Sequence, residues 1–423
     1  MKIFSSKSVL SGEISVPGSK SHSIRAVAIA TMAEGSSTII SPLSSGDTLS
    51  SLVASEAFGA SVEKKNDFWR IKGVGGKIKP CNKIIDLGNS GTSLRIFTAL
   101  AALCDSKYSF DGDSSLRTRE MRNLLSSLQD LGVETNSSNG KCPLSVKGPL
   151  RGGHTSIEGK SSQFVTALLF STPLAQKNSE IIITKLNEKP YVEITLDWLK
   201  RQQIEIEHEK DLTHFRVKGK QCYKSFESPI PADFSTATFP LVGAAITGGE
   251  LSIRNLDFND RQGDKEIFSV MEKMGVTVTK GAEWTIVRGP SKLKPVSVDL
   301  NATPDALPAL AVAACFAEGR SEILNVPQAR IKETDRIACM TRELRKMGAD
   351  IEELPDGMII NGRGELAGAT VEGHGDHRIV MALAIAGLAT GKETCVNGAE
   401  AAEVTYPEFA RDFIKIGAKF KVI

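Results

Sequence analysis

The sequence predicts an α/β protein of two globular domains, each with three βαβαββ units around a pseudo-threefold axis. Three observations carry this prediction: an internal repeat of roughly 70 residues, two short markers that keep one phase along the chain, and an apolar helix in every unit. A single unit cannot cover its own apolar helix, so three units packed together are the natural assembly. Six units therefore give two domains.

The two markers fall at the end of a helix and at the end of a unit. Glycine in the first marker suits the left-handed backbone that ends a helix, and the next residue suits a strand. This marker occurs at Phe58-Gly59-Ala60, Leu131-Gly132-Val133, Met274-Gly275-Val276, Met347-Gly348-Ala349 and Ile416-Gly417-Ala418, with Gln202-Gln203-Ile204 in the third unit. The second marker closes five units, at Ile71-Lys72-Gly73, Val146-Lys147-Gly148, Val217-Lys218-Gly219, Val287-Arg288-Gly289 and Ile360-Asn361-Gly362.

Every unit also contains a helix that is apolar on nearly all sides, as buried helices are. These helices are predicted at Ala26 to Ala33, Leu94 to Leu103, Phe164 to Leu174, Thr238 to Ile246, Ala306 to Ala317 and Ile379 to Leu388. A later amphipathic helix, such as Glu343 to Met347, belongs on the surface. The predicted order of elements in each unit is thus strand, buried helix, strand, surface helix, strand, strand. The domains should join near Tyr223 to Pro231, where Ser, Pro and Lys cluster.

Composition narrows the class of function. The chain has 423 residues, 41% of them hydrophobic, and its 52 Lys and Arg are scattered among 50 Asp and Glu. This pattern excludes a nucleic-acid surface and a polybasic membrane anchor. Without a predicted signal peptide or membrane span, we expect a cytoplasmic protein. Seven widely spaced cysteines argue against disulfides and a structural metal.

A polar, turn-forming segment precedes each buried helix. Helix N-termini carry unpaired N–H groups and partial positive charge, so they bind phosphate or carboxylate. The segments are Pro17 to Arg25, Gly88 to Ser93, Gly159 to Gln163, Pro231 to Ser235, Thr303 to Asp305 and Gly373 to Arg378. Simple helix capping is the alternative for each, but capping needs no cation, and Lys20, Arg25, His377 and Arg378 are present. We expect the six helix ends to face one cleft between the domains.

Three further polar segments lie between a buried helix and a surface helix, at Asp111 to Glu120, Asn187 to Tyr191 and Arg330 to Arg336. Taken alone, Arg117 and Arg119 fit a solvated loop with surface ion pairs, and Lys332 to Arg336 fit a charged first turn. Their matching place in successive units instead favours ligand binding.

At these residues the chain resembles the 5-enolpyruvylshikimate-3-phosphate synthases, a branch of the enolpyruvyl transferase family. The motifs follow the family order along the whole chain: Pro17-Gly18-Ser19-Lys20-Ser21, Leu87-Gly88-Asn89-Ser90-Gly91-Thr92, Ser161-Ser162-Gln163-Phe164, Lys332-Glu333-Thr334-Asp335-Arg336 and Asp376-His377-Arg378. The resemblance implies that the N-terminal strand crosses into the second globe. The expected domains are therefore 1–17 with 229–423, and 18–228.

The resemblance also implies an activity: transfer of the enolpyruvyl group of phosphoenolpyruvate to the 5-hydroxyl of shikimate 3-phosphate, with release of phosphate. It implies no metal, no organic cofactor, closure of the two globes on substrate, and only small-molecule partners. We expect a monomer. Two phosphates and two carboxylates require several cations, with Arg preferred for bidentate contacts.

Site residues follow from the resemblance by motif position. Phosphoenolpyruvate should be held by Lys20, Gly91, Arg119, Gln163, Arg336 and Arg378. Shikimate 3-phosphate should be held by Ser21, Arg25, Ser161, Ser162, Gln163, Tyr191, Asp305, Gln328 and Lys332. Asp305 is expected to be the general base, Glu333 and Lys20 to share protonation of the methylene carbon, and His377 to assist.

Four positions depart from the family's commoner pattern. Glu188 stands where a phosphate-contacting Ser is frequent, and we expect it to point away from the phosphate or to pair with Lys189. Gln328 replaces a frequent Asn, Glu120 a Pro, and Val404 a Lys that contacts phosphoenolpyruvate in many relatives. The last change removes a cation from the expected site.

Two other functions stay open. Enolpyruvyl transfer to a UDP-linked amino sugar would require a reactive Cys on the second unit's loop, and Asp111 to Glu120 contain none. A non-catalytic anion-binding relative would not need Asp305, Glu333 and Lys20 together, because carboxylates weaken an anion site unless they do chemistry.

Overall fold

The computed structural model describes residues 1–423 and divides the chain into two compact units. The terminal unit comprises Met1–Pro17 and Pro231–Ile423, and the middle unit comprises Gly18–Ile230. The sequence places the second boundary at 228/229, and the structure places it at 230/231. None of the helices is long and apolar enough to cross a membrane.

Short strands and helices alternate along the chain. The strands are β1 Lys2–Ser6, β2 Ser11–Ser15, β3 Ser36–Ile40, β4 Ser61–Lys64, β5 Phe68–Lys72, β6 Ile84–Asp86, β7 Lys107–Asp111, β8 Glu134–Ser138, β9 Lys141–Lys147, β10 Gly153–Gly159, β11 Ser179–Leu186, β12 Ile206–His208, β13 His214–Val217, β14 Glu227–Pro229, β15 Glu250–Arg254, β16 Thr277–Lys280, β17 Trp284–Arg288, β18 Ser297–Asp299, β19 Glu318–Leu324, β20 Asp350–Leu354, β21 Gly357–Arg363, β22 Thr370–Glu372, β23 Thr394–Asn397 and β24 Lys419–Val422. The α-helices are α1 Lys20–Met32, α2 Gly46–Ala57, α3 Gly91–Ala101, α4 Arg122–Asp130, α5 Ser162–Ser171, α6 Lys189–Arg201, α7 Phe234–Thr247, α8 Glu266–Lys273, α9 Leu307–Phe316, α10 Arg336–Lys346, α11 His377–Gly387 and α12 Phe409–Lys415.

These strands form six four-stranded sheets with one common topology. In each sheet an edge strand runs parallel to its neighbour, and the other two pairings are antiparallel. The middle unit contains the sheets β14-β3-β5-β4, β6-β7-β9-β8 and β10-β11-β13-β12, and the terminal unit contains β2-β15-β17-β16, β18-β19-β21-β20 and β22-β23-β1-β24. The predicted fold class, three βαβαββ units per domain, is confirmed.

Two strands follow a different route from the one that chain order suggests. β2 precedes α1 of the middle unit, yet it pairs parallel with β15 of the terminal unit. β14 precedes α7 of the terminal unit, yet it pairs parallel with β3 of the middle unit. The N-terminal crossing was implied by resemblance, whereas the return through β14 was not predicted, because a three-residue strand leaves no periodic signal.

Each unit has its own hydrophobic core around three buried helices, α1, α3 and α5 in the middle unit and α7, α9 and α11 in the terminal unit. Every residue of α9 and of α11 is buried. Burying one Leu or Ile contributes about 1.5–3 kcal/mol to the free energy of folding, so the three apolar helices of each unit are a main source of that unit's stability. All of these helices except α9 begin earlier than predicted. The largest difference is in α1, which starts at Lys20 rather than Ala26, because the polar segment forms its first turn.

The glycine marker ends a helix in the way the sequence predicts. Gly59, Gly132, Gly275, Gly348 and Gly417 have φ values of 97°, 94°, 104°, 88° and 98°. In the third unit Gln203 adopts φ 59° at the same place. A side chain is disfavoured in this conformation, which explains why glycine recurs there.

Candidate active site

In the terminal unit, one buried arginine is surrounded by three carboxylates. Arg336 is the first residue of α10 and is 1% exposed. Its Nε donates to Asp376 Oδ2 (2.7 Å), its Nη1 to Asp305 Oδ1 (2.8 Å) and its Nη2 to Glu333 Oε2 (2.7 Å). Burial alone would lower the pKa of this guanidinium, but the three carboxylates outweigh burial and raise the pKa above its ordinary value. Arg336 therefore stays charged.

A second buried arginine shares one of these carboxylates. Arg378 Nη2 lies 2.9 Å from Asp305 Oδ2 and donates to Ser235 Oγ at 2.8 Å. Ser235 in turn donates to Asp233, the residue that caps α7. Asp305 thus bridges Arg336 and Arg378, which places one carboxylate against two guanidinium groups.

Three helix N-termini supply these groups. Asp376 caps α11 by accepting a hydrogen bond from the Arg378 N–H (2.9 Å). Asp305 lies in the short 3-10 helix Pro304–Ala306 before α9. Ser235 is in the first turn of α7. Because the three buried helices pack side by side, the polar segments before them meet at one end of the unit. The predicted convergence is present for this unit's three segments.

The remaining predicted residues of the terminal unit lie nearby along the chain. Arg330, which the sequence left without a role, pairs with Asp335 (2.7 Å) and Glu353 (2.9 Å), and Asp335 caps α10. Lys332 is half-buried. Gln328 is buried, and its Nε2 donates to the Asn301 carbonyl (2.8 Å), whereas its Oε1 has no hydrogen-bond partner. These contacts hold the segment before α10 in place.

His377 is fully buried, as are Asp376 and Arg378 on either side of it. It is the first residue of α11, and its Nδ1 is 4.0 Å from Asp376 Oδ1. This distance is too long for a hydrogen bond, so the ring lies beside Asp376 without a hydrogen bond to that carboxylate.

In the middle unit, Lys20 is the first residue of α1 and pairs with Asp47. The Lys20 Nζ lies 3.0 Å from Asp47 Oδ2, and the two side chains are 14% and 5% exposed. The Asp47 Oδ1 atom is buried without a hydrogen-bond partner. Sequence reasoning missed Asp47, although it lies in the first turn of the surface helix of the same unit.

Arg25 is a cross-link between three helices in this structure. Its guanidinium donates to the Ser21 and Tyr191 carbonyls (both 2.9 Å) and to the hydroxyls of Thr166 (3.2 Å) and Thr195 (3.0 Å). Burial lowers its pKa to about 10. These contacts tie α1 to α5 and α6, so Arg25 orients the segment that carries Ser21 and Tyr191.

Gly91 lies against two guanidinium groups. A Cβ at this position would be 2.7 Å from Arg95 Nη1 and 2.8 Å from Arg119 Nη1. Arg95 donates to Gln163 Oε1, and Arg119 donates to Asn89 Oδ1. Three of the predicted phosphoenolpyruvate residues, Gly91, Arg119 and Gln163, are therefore together, and Arg95 joins them. Sequence reasoning missed Arg95, whose signal was an arginine inside an apolar helix.

Ser161 and Ser162 begin α5, and Glu188 contacts them. Ser161 caps the helix by accepting the Gln163 N–H (3.4 Å). Glu188 Oε2 accepts from the Ser162 hydroxyl (2.7 Å) and from the Ser162 N–H (3.2 Å). The Glu188 carboxylate thus contacts the first residue of α5, where the positive end of the helix dipole favours an anion, and its expected orientation relative to a bound phosphate stays a prediction.

Comparisons with known proteins agree along the whole chain. Residues 5–413 match the family model described as EPSP synthase (3-phosphoshikimate 1-carboxyvinyltransferase). A 3-phosphoshikimate 1-carboxyvinyltransferase of Acetivibrio thermocellus is 47% identical over 414 residues, covering 97% of each chain. One of Methanosarcina acetivorans is 44% identical over 431 residues, covering 100% of this chain and 99% of the relative. The solved EPSP synthase of Acinetobacter baumannii superposes with a TM-score of 0.84 at 27% identity, covering 100% of both chains.

Proposed function

Because this chain belongs to the EPSP synthase family, we propose that the residues described above carry out that family's reaction in it. The protein transfers the enolpyruvyl group of phosphoenolpyruvate to the 5-hydroxyl of shikimate 3-phosphate and releases phosphate. One observation supports the residue assignment most strongly: Asp305 is shared by Arg336 and Arg378. A candidate base thus lies beside two candidate anion ligands.

Phosphoenolpyruvate is proposed to bind several guanidinium groups. Arg336, Arg378 and Arg119 suit its phosphate and carboxylate because Arg forms bidentate contacts with oxyanions. Lys20 adds a point charge, and Gly91 keeps the space beside Arg119 open. We add Arg95 as a residue that positions Gln163.

Shikimate 3-phosphate is proposed to bind the first turns of α1 and α5 with Ser21, Ser161, Ser162 and Gln163. Tyr191, Lys332 and Gln328 complete the set, and the free Oε1 of Gln328 can accept a substrate hydroxyl. Four of the five N–H donors of Arg25 are engaged by protein oxygens, which supports a positioning role toward Ser21 and Tyr191.

The proton steps are assigned by chemistry. Asp305 takes the proton of the 5-hydroxyl as its oxygen attacks C2 of phosphoenolpyruvate. The methylene carbon takes a proton from Lys20 or Glu333, and loss of a proton from that carbon restores the double bond as phosphate leaves. Arg336 holds both Asp305 and Glu333, so it fixes the base relative to one of the two candidate acids. His377, whose Nδ1 lies 4.0 Å from Asp376 Oδ1, is proposed to assist.

A phosphate-release assay tests the function. Purified protein mixed with shikimate 3-phosphate and phosphoenolpyruvate should release phosphate, and either substrate alone should not. Replacing shikimate 3-phosphate by a UDP-linked amino sugar should give no release. Release with the sugar and none with shikimate 3-phosphate would reject the proposal. The monomeric state and the cytoplasmic location stay predictions.

A further inference from the structure

A cavity of about 790 Å³ lies in the terminal unit, at the far ends of the helices that carry the candidate active site. The site is built at the N-termini of α7, α9 and α11. The cavity is lined by residues at the C-terminal ends of the same three helices, Thr247, Phe316 and Leu388. Because α7 has 14 residues, its two ends are about 20 Å apart. The cavity is therefore separate from the groups that the proposed reaction uses.

The floor of this cavity is apolar. Leu293, Phe316 and Leu388 are 4%, 7% and 0% exposed, and Ala245 borders the cavity beside them. Sites for small molecules usually measure about 300–1,000 Å³ and are lined mainly by apolar side chains. The cavity thus has the size and the floor of a site for a small molecule with an apolar body.

The carbonyl groups at these helix ends have backbone partners. The Ser8 N–H donates to the Leu388 carbonyl (2.9 Å), and the Ala317 N–H donates to the Ala313 carbonyl (3.1 Å). Backbone donors therefore offset part of the negative charge that a helix carries at its C-terminus.

Lysines at the rim give the cavity a positive charge. Lys292 pairs with Glu318 at 2.8 Å. The ammonium groups of Lys7 and Lys419 are exposed and form neither an ion pair nor a hydrogen bond. Glu318 is the one acidic residue among the residues that line the cavity, so two positive charges are left without a counter-charge. An anionic group would supply it.

We propose that this cavity binds a small organic anion with an apolar body, that is, a carboxylate or sulfonate attached to an aromatic or aliphatic group. The apolar body contacts Leu293, Phe316 and Leu388, and its removal from water supplies most of the affinity. Lys7 and Lys419 contact the anionic group and select it over an uncharged one. Binding here requires no substrate of the proposed reaction, so it stands independently of that function.

Fluorescence titration with 8-anilino-1-naphthalenesulfonate tests the proposal. This probe is a sulfonate on an aromatic body, and its emission reports binding to apolar protein surface. The wild type should bind it with a Kd on the order of 10–100 μM, as expected for a ligand of about 20 non-hydrogen atoms. Added 4-phenylbutyrate should displace the probe, and the uncharged 4-phenyl-1-butanol should do so about fivefold less well.

Two variants remove different parts of the proposed site. Lys7→Gln with Lys419→Gln removes both unpaired charges and should weaken probe binding about fivefold. Ser291→Trp places a large ring at an exposed position of the cavity lining and should abolish the binding that 4-phenylbutyrate displaces. Lys2→Gln with Lys273→Gln, which removes two exposed lysines outside the cavity, is the control and should bind as the wild type does.

Wild-type protein that does not bind the probe would overturn the inference. The same follows if the Lys7→Gln/Lys419→Gln protein or Ser291→Trp binds it as tightly as the wild type, because the probe would then be held elsewhere. Equal displacement by the alcohol and the carboxylate, or equal weakening in the control variant, would also refute it. Either folded variant alone decides the question. Failure of both to fold would count against the inference too, because exposed side chains at the rim of a cavity do not stabilise a core.

Discussion

At the scale of single residues, Asp305 of the terminal unit is a carboxylate that two guanidinium groups contact. This carboxylate contacts Arg336 at 2.8 Å and Arg378 at 2.9 Å, so the residue proposed as the general base also balances the charge of two guanidinium groups. Removing one partner of a buried ion pair leaves the others uncompensated. A test of Asp305 must therefore separate loss of chemistry from loss of ligand binding.

Asp305→Asn keeps the shape of the side chain and removes its charge and its basicity. We expect kcat to fall by about 10²- to 10⁴-fold, the usual contribution of a general base. Affinity for phosphoenolpyruvate should stay within about tenfold, because the guanidinium groups remain. Phosphate-release kinetics and calorimetry measure the two effects. The exposed Asp350→Asn is the control, and normal turnover in Asp305→Asn would exclude the general-base role.

Gly91→Ala tests the space beside Arg95 and Arg119. The added methyl would lie 2.7–2.8 Å from their Nη1 atoms, so both guanidinium tips must move. We expect kcat/KM for phosphoenolpyruvate to fall by about 100-fold, as for displacements near 1 Å in active sites. Gly46→Ala is the matched control, because Gly46 also begins a helix and a Cβ there meets nothing within 4 Å. Equal kinetics in the two variants would contradict this account.

At the scale of elements, α10 positions the turn that leads into α11. The buried Glu343 of α10 accepts from the Glu372 N–H (3.0 Å), from Lys346 (2.6 Å) and from the His374 ring (2.9 Å). Residues 372 to 376 connect β22 to the capping residue Asp376. Glu343 therefore fixes the segment that presents Asp376 and Arg378, although it touches neither.

Glu343→Gln should show the energetic contribution of this contact. Burial would raise the pKa of Glu343, but Lys346, the Glu372 N–H and His374 outweigh burial and lower it below 4.5. A carboxyl whose pKa is lower in the folded state than in the unfolded state stabilises the fold at any pH above its unfolded-state pKa. This stabilisation is lost as the pH falls through the folded-state pKa. The variant should be about 1–2 kcal/mol less stable at pH 7.

Denaturant unfolding at several pH values measures this difference. It should shrink as pH falls below about 4.5, because the wild-type carboxyl then becomes neutral too. Glu352→Gln, at an exposed position of β20, is the control. A difference that stayed constant down to pH 3 would contradict the prediction.

At the scale of the whole molecule, the middle unit is continuous in sequence and the terminal unit is not. Residues 1–17 supply β1, which lies between β23 and β24, and β2, which pairs with β15. Ile3, Leu10 and Ile14 also belong to the core of the terminal unit. Folding of the terminal unit thus depends on a segment that is remote in sequence.

Deletion of residues 1–17 should unfold the terminal unit and spare the middle one. Three large apolar side chains and two strands are lost, and about 1.5–3 kcal/mol per side chain is a large part of the 5–15 kcal/mol that stabilises a domain. Hydrogen exchange followed by mass spectrometry should show fast exchange in 231–423 and continued protection in 18–230. The middle unit serves as the internal control, and protection of both units would contradict the expectation.

Sequence alone yielded the repeat, the fold class and the residues of the motifs, because these signals are local. Gly59 and the equivalent glycines mark the ends of helices, and Asp376 and Arg378 belong to one three-residue motif. It missed Asp47 and Arg95, the contact of Ser235 with Arg378, and the contact of Glu188 with Ser162, because each depends on a partner in another helix. Packing decides such contacts, and neither periodicity nor motif spacing encodes them.

The pairing of β1 with β24 has a consequence for protein engineering. The backbones of Lys2 and Ile423 exchange hydrogen bonds of 2.7 and 3.0 Å, so a short linker could join the two chain ends. New ends opened between Ile230 and Pro231 would give a circular permutant in which 231–423 runs through the linker into 1–17. Each unit would then be one uninterrupted stretch, and the polypeptide would pass from one unit to the other once rather than twice.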